Sequence, residues 1–197
     1  NTAVGHKAAG AATGANLTAI GTHALQHCEA STLVAVGHYA LNDNTSGTEN
    51  VAVGANALDV NTTGSRNTAL GNGALGQNTT ANNNTGLGYL ALTSNTSGTQ
   101  NTAVGAYAGD AITTGDYNTV VGQSALTVAT TADSNTAIGQ TALHLTTTGD
   151  NNVGVGKAAL YANTTGQYNT AVGSSSLDAN TTGIENTAIG YGALTNS

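Results

Sequence analysis

One glycine recurs through this chain at Gly5, Gly21, Gly37, Gly54, Gly71, Gly88, Gly105, Gly122, Gly139, Gly156, Gly173 and Gly190, at two intervals of 16 residues and then nine of 17. A period this short and regular marks one coil copied along an axis, not a domain that happens to hold a motif. The chain is therefore expected to be all-β, a parallel β-solenoid or β-roll of twelve rungs forming a single repeat domain over residues 1–197. Residues 1–37 make shorter, irregular rungs and residues 38–197 regular 17-residue ones. Ala, Gly, Asn and Thr dominate, a composition shared with disordered low-complexity tracts. Here, however, the aliphatic residues keep one phase in every copy, which disorder gives no reason to do.

Counted from the motif glycine, the residue just before it is always Val, Ile or Leu: Val4, Ile20, Val36, Val53, Leu70, Leu87, Val104, Val121, Ile138, Val155, Val172 and Ile189. This column is expected to be the most buried. A second core column stands four residues after the glycine, at Leu58, Leu75, Leu92, Leu126, Leu143, Leu160, Leu177 and Leu194, with Ala9 and Gly109 as exceptions. Replacing Leu92 or Val104 by Asp is expected to break a rung, and the same change at Tyr107 to be tolerated. Two further sites admit only small residues: Ala three after the glycine, with Ser176 once, and Ala, Gly or Val two before it. Their smallness suggests close approach of another backbone or sheet, and lateral packing on copies of the chain.

Four residues before the glycine stands Asn in ten of twelve copies, among them Asn50, Asn67, Asn101 and Asn186. Stacked amides can bond along a fibre axis as a ladder. The link between rungs is an NTTG-like turn, as at residues 61–64, where Asn supplies turn chemistry and Gly a positive φ. A 17-residue period of this kind cannot hold a helix pair, and the pattern reads as two short strands per coil, each stacked on its counterpart about 4.8 Å away. Variation is confined to three two-residue windows, one and two, five and six, and eleven and twelve residues after the glycine. Nearly all charges and all seven Tyr fall there, which assigns the windows to the outer surface.

A net charge of −7 with only Lys7, Arg66 and Lys157 as fixed cations leaves no footprint for nucleic acid. No apolar run approaches the roughly 20 residues of a membrane helix, so no membrane insertion is expected in this segment. Cys28 is the only cysteine, so no internal disulfide forms. The chain starts inside the motif and lacks a closing segment after GALTN, which reads as a mature product or a piece of a longer protein whose rungs continue or stack end to end.

Candidate chemistry is sparse. His23, His27 and Cys28, beside Glu29, are the densest set of metal-ligating side chains, yet their positions in different windows point them apart. Asp116, Asp133 and Asp150 share one column and offer a weak Ca²⁺ site or simple solvation. No nucleophile, base and orienter set occurs, and the expectation is no catalytic residue, no cofactor, no resident metal and no enzyme. Sequons at Asn16, Asn44, Asn61, Asn78, Asn83, Asn95, Asn163 and Asn180 have the composition of turns. The Tyr rings are available for inter-chain packing or for contact with surface glycans or matrix.

The blocks NVAVG at 50–54, LVAVG at 33–37 and LTAIG at 17–21, with the Gly54 to Ala57 spacing that follows, resemble the head repeats of trimeric autotransporter adhesins of the YadA type. NTAVG and NTTG repeats are also similar to those of phage and bacterial tail-fibre proteins. The resemblance implies a left-handed roll, assembly as a homotrimer, and a place on the cell or virion surface, although this repeat is about three residues longer than the adhesin period. It points to an extracellular structural fibre or adhesin segment in a cell-surface appendage, filament or tail fibre. The alternative is an ice-binding, antifreeze-like solenoid, suggested by Thr three residues before the glycine in nine copies and by a second Thr column, Thr45 through Thr181.

Overall fold

The computed structural model describes residues 1–195; Asn196 and Ser197, the end of the chain's closing stretch, lie outside the described residues. Twelve strands, β1 (Thr2–Val4), β2 (Leu17–Ile20), β3 (Leu33–Val36), β4 (Val51–Val53), β5 (Thr68–Leu70), β6 (Thr85–Leu87), β7 (Thr102–Val104), β8 (Thr119–Val121), β9 (Thr136–Ile138), β10 (Val153–Val155), β11 (Thr170–Val172) and β12 (Thr187–Ile189), form one parallel sheet in chain order. The register is motif on motif throughout, for example Thr68 beside Thr85, Ala69 beside Gly86 and Leu70 beside Leu87. The expected β-solenoid is present, one coil per repeat. At about 4.8 Å per rung the sheet runs roughly 55 Å along the axis.

The two faces of each strand are inverted relative to the expectation from hydrophobicity. The Ala two before the glycine points inward and is fully buried, as at Ala52, Ala69, Ala103 and Ala137. The aliphatic residue just before the glycine points outward: Val4, Ile20, Leu70, Leu87, Ile138, Val172 and Ile189 are exposed, and Val36, Val53, Val104, Val121 and Val155 are half-exposed. None of these twelve belongs to the core. The physical reason is room. A coil of 17 residues is so thin that a Cβ added at Gly86 would lie 3.1 Å from the Ala91 carbonyl oxygen and 3.3 Å from Leu75 Cγ, in the inward site. Alanine or glycine fills that space in eleven coils, and the fully buried Val120 is the largest residue that enters it. The small-residue sites therefore face the chain's own interior and not a neighbouring chain.

The Leu column is the true core. Leu58, Leu75, Leu92, Leu126, Leu143, Leu160 and Leu177 are fully buried, while Leu194 in the last described coil is 48% exposed. These leucines do not lie on a second strand. The residues two and four after each motif glycine hold left-handed backbone, such as Asn56 (φ 56°) with Leu58 (φ 51°) and Tyr107 (φ 58°) with Gly109 (φ 58°), as does the residue five before the next glycine, such as Arg66 (φ 59°). Such residues cannot continue a strand, so each coil has one strand and not the two expected. The turn still stacks on its neighbours through the Leu58 N–H on the Ala74 carbonyl (3.1 Å) and the Leu92 N–H on the Ala108 carbonyl (3.0 Å). A left-handed Leu costs roughly 1–2 kcal/mol, and burying its side chain returns about the same or more, roughly 1.5–3 kcal/mol.

Two asparagine ladders close the interior. In the first, each Asn preceding a strand uses both ends of its amide: Asn67 Nδ2 donates to the Ala81 carbonyl (2.8 Å), and its Oδ1 accepts the Asn84 backbone N–H (3.0 Å). The pattern repeats at Asn84, Asn101, Asn118, Asn135 and Asn152. In the second, Asn61 Nδ2 donates to Asn44 Oδ1 (2.6 Å), Asn78 to Asn61 (2.7 Å) and Asn95 to Asn78 (3.1 Å). Ile112, Ala129 and Thr146 interrupt this second ladder, and there Asn95 Oδ1 and Thr146 Oγ1 are buried without partners. The motif glycines permit the stacking. Their φ lies between 122° and 143°, and a Cβ on Gly105 would stand 2.8 Å from the Gly122 carbonyl oxygen.

Chemical unfolding should rank substitutions by these roles. Asn101→Ala leaves a buried N–H and a buried carbonyl unpaired and should cost about 2–4 kcal/mol; Leu92→Ala should cost about 2–5 kcal/mol; Gly105→Ala should cost at least as much as either. Val104→Asp, on the outward face, should leave the fold of the single chain intact. A strongly destabilised Val104→Asp beside a neutral Asn101→Ala would reverse the assignment of faces.

Candidate functional surface

Among the described residues the chain has no cavity or cleft, and no three His, Cys, Asp or Glu side chains gather as a metal-binding group. The broadest uniform feature is the outward face of the twelve-stranded sheet. Alternation along each strand brings two columns to it, Thr or Val three before the glycine and Val, Ile or Leu one before it. Stacking in exact motif register makes the columns continuous. Of the Thr column, Thr68, Thr102, Thr119 and Thr187 are exposed and Thr85, Thr136 and Thr170 half-exposed, and their hydroxyls take no part in the hydrogen bonding inside the chain.

The structure separates the candidate metal ligands. Cys28 is buried in the same column as the second Asn ladder, its thiol donating to the Ala30 carbonyl (3.4 Å) and receiving Asn44 Nδ2 (3.8 Å). Burial is the main reason its pKa is raised, so the thiol is held protonated and inert. His27 is exposed and lies 3.4 Å from Asp43, while His23 bonds to Gln26 and stacks on Tyr39. His6, which packs edge-on to His23, and His38, edge-on to Tyr39, complete a four-ring surface stack over the first three rungs.

The Asp column serves the backbone. Asp116 Oδ1 receives the Thr99 N–H, Asp133 Oδ1 the Asp116 N–H (2.7 Å) and Asp150 Oδ1 the Asp133 N–H (2.8 Å). Asn82 does the same for Ser65 (2.7 Å), so the bond needs an acceptor oxygen and not a charge, while Ile184 in the same column makes no such bond. Six of the sequon asparagines, Asn44, Asn61, Asn78, Asn95, Asn163 and Asn180, are buried in the ladder, and only Asn16 and Asn83 are exposed. Six tyrosines are exposed as expected and Tyr39 is half-buried; Tyr89 packs edge-on to Tyr107 and Tyr161 stacks on His144, in each case across neighbouring rungs of the same chain.

No protein-family model, curated protein or solved structure matches the chain.

What the sequence reading missed on this surface is its apolar character, because it placed the aliphatic column inside. The signal was available in the site two before the glycine, where no residue larger than Val occurs. The left-handed position four after the glycine had a signal as well: the one Gly in the Leu column, Gly109, has the same φ region as the leucines.

Two measurements test these assignments. Asp133→Asn keeps an acceptor for the Asp116 N–H and should be close to neutral, whereas Asp133→Ala should cost about 0.5–1.5 kcal/mol; equal losses would show that the charge matters and not the bond. Partial burial pushes the Asp59 and Asp110 carboxyls above their ordinary value, with the Asp43 charge adding to the effect at Asp59. A folded-state pKa above the unfolded one means that the native chain holds the proton more tightly. These groups therefore weaken the fold as pH rises from the ordinary carboxylate range through the raised value. Asp59→Asn and Asp110→Asn should raise the melting temperature at pH 7, by no more than about 2 °C once solvent screening is allowed for, and leave it unchanged at pH 3. A gain of equal size at both pH values would contradict the linkage.

Proposed function

We propose that this chain is a structural fibre segment, a self-associating rod in an extracellular appendage, filament or tail fibre on a cell or virion surface, that works by its shape and not by catalysis. What supports the reading most is how the polar interior is used. The amides of both Asn ladders bond to the next rung or to the coil's own backbone, so that the chemistry of the repeat is spent on holding coils together. A repeat whose recurring interior residues serve stacking builds length and stiffness. Attachment to glycans or matrix, as in an adhesin, belongs to the variable windows, where the exposed Tyr117, Tyr168 and Tyr191 present amphipathic rings.

Sedimentation of the purified chain tests self-association. At micromolar concentration the mass should be a small multiple of 19.2 kDa, three-fold if the homotrimer that the resemblance to adhesin head repeats implies is right. A species that stays at 19.2 kDa across the whole concentration range would overturn the assembly.

One observation favours a second reading, ice binding. The first Thr column faces solvent, so the exchange of Thr for Val at Val34, Val51 and Val153 does not mark it as an interior site. The second Thr column is less suited, because Thr62, Thr79, Thr96 and Thr113 donate their hydroxyls to the carbonyl one rung on. Thermal hysteresis in the monomeric chain is the outcome this reading requires.

A further inference from the structure

We propose that the outward strand face is the surface through which copies of this chain associate, a second copy laying its own Thr and aliphatic columns upon it. The inference rests on the self-association reading above and assigns it to a surface. Its first support is that the face is restricted in shape as tightly as the core. Across twelve strands the first outward site holds only Thr or Val, two side chains of one shape, and the second only Val, Ile or Leu. A neighbouring exposed column, five residues before the glycine, passes through Glu49, Arg66, Asn83, Gln100, Tyr117 and Ser134 in successive coils. Water sets no such limit on shape, and strand propensity alone also admits aromatic residues. A close-packed neighbour does set it, since a well-packed contact tolerates swaps of equal volume best. The exchange of Thr for Val also shows which property is retained: the branched outline, not the hydroxyl.

Size and charge point the same way. Two columns along twelve strands leave on the order of 1,000 Å² open to solvent, more than the roughly 800 Å² that each partner contributes to a standard stable interface. The aliphatic column and the Thr methyl groups make much of this surface apolar, and a continuous apolar patch marks an interaction site. The chain carries a net charge of −7, which opposes association of copies, but none of its ten carboxylates or three fixed cations lies in either outward column. All but Glu29 stand in the variable windows, so two faces can meet with their charges at the rim, where solvent screens them. A partner that covers the face from end to end must repeat every 4.8 Å or so along the axis with small branched groups. The same face of another copy has that repeat.

The test is the double variant Leu70→Lys with Leu87→Lys, both outward residues, compared with the wild type and with Tyr117→Lys plus Tyr168→Lys on the neighbouring column. The expected result is a wild-type oligomer that falls to 19.2 kDa in the strand-face variant, with the β-sheet circular dichroism retained, and does not change in the Tyr variant. Should the Lys variant fail to fold, Val104→Cys in the otherwise unaltered chain gives the answer: mild oxidation should link copies covalently through residue 104, which Cys28, being buried, cannot do. An oligomer indifferent to Leu70→Lys and Leu87→Lys, or one that does not cross-link at residue 104, overturns the face and leaves self-association standing. A wild-type chain that is monomeric at every concentration overturns both, and thermal hysteresis then tells whether the open face binds ice.

Discussion

The fold depends on the stacking of one backbone coil directly on the next. Adjacent motif glycines approach so closely that a Cβ would enter the neighbouring carbonyl, and this approach brings the sheet and the two Asn ladders into bonding distance along the whole axis. In a coil of 17 residues there is no interior large enough for water or for a layer of big side chains. Each polar group turned inward must therefore be answered within the chain, since an unpaired buried amide costs on the order of 1–3 kcal/mol. Asparagine answers with a donor and an acceptor of equal reach, which is why one residue can close its own coil and bond the next.

The same thinness decides what lies outside. With Ala and a single Leu filling most of the inner space, the Val, Ile or Leu just before each motif glycine is left on the opposite face. Burial within one chain thus falls to small residues, and the larger apolar surface remains for contacts beyond it. The defect at Ile112, Ala129 and Thr146 shows how local the arrangement is. The second ladder lapses for three coils, leaving Asn95 Oδ1 unpaired, while the first ladder and the sheet run on unbroken. Stability in such a chain is close to a sum of neighbouring-coil terms.

Much of this was legible in the sequence. The glycine spacing specified the number of rungs and the parallel register, and the recurrence of Asn50, Asn67 and their counterparts marked a ladder. The direction of the strands was not legible from alternation, which pairs Thr68 with Leu70 on one face and sets Ala69 on the other but does not say which is inside. Hydrophobicity favours Leu70; the width of the coil favours Ala69, and width is a property of the closed structure. The left-handed Leu column was hidden for a related reason: Leu58 is an ordinary core residue by composition, and its unusual backbone appears only once the coil must turn twice within four residues. The functional surface followed the same inversion, since the columns now exposed were those assigned to the core.

The account stands or falls on whether the interior asparagines are locked from rung to rung. Hydrogen exchange followed by NMR on the side-chain amides reads this directly. Asn67, Asn84, Asn101 and Asn118, each fully buried and bonded at both ends, should exchange their Nδ2 protons as slowly as the strand backbone amides, and far more slowly than the exposed Asn56 and Asn72. Interior amides that exchange as fast as those of Asn56 and Asn72 would contradict it, because coils held without their ladders would not be the structure described.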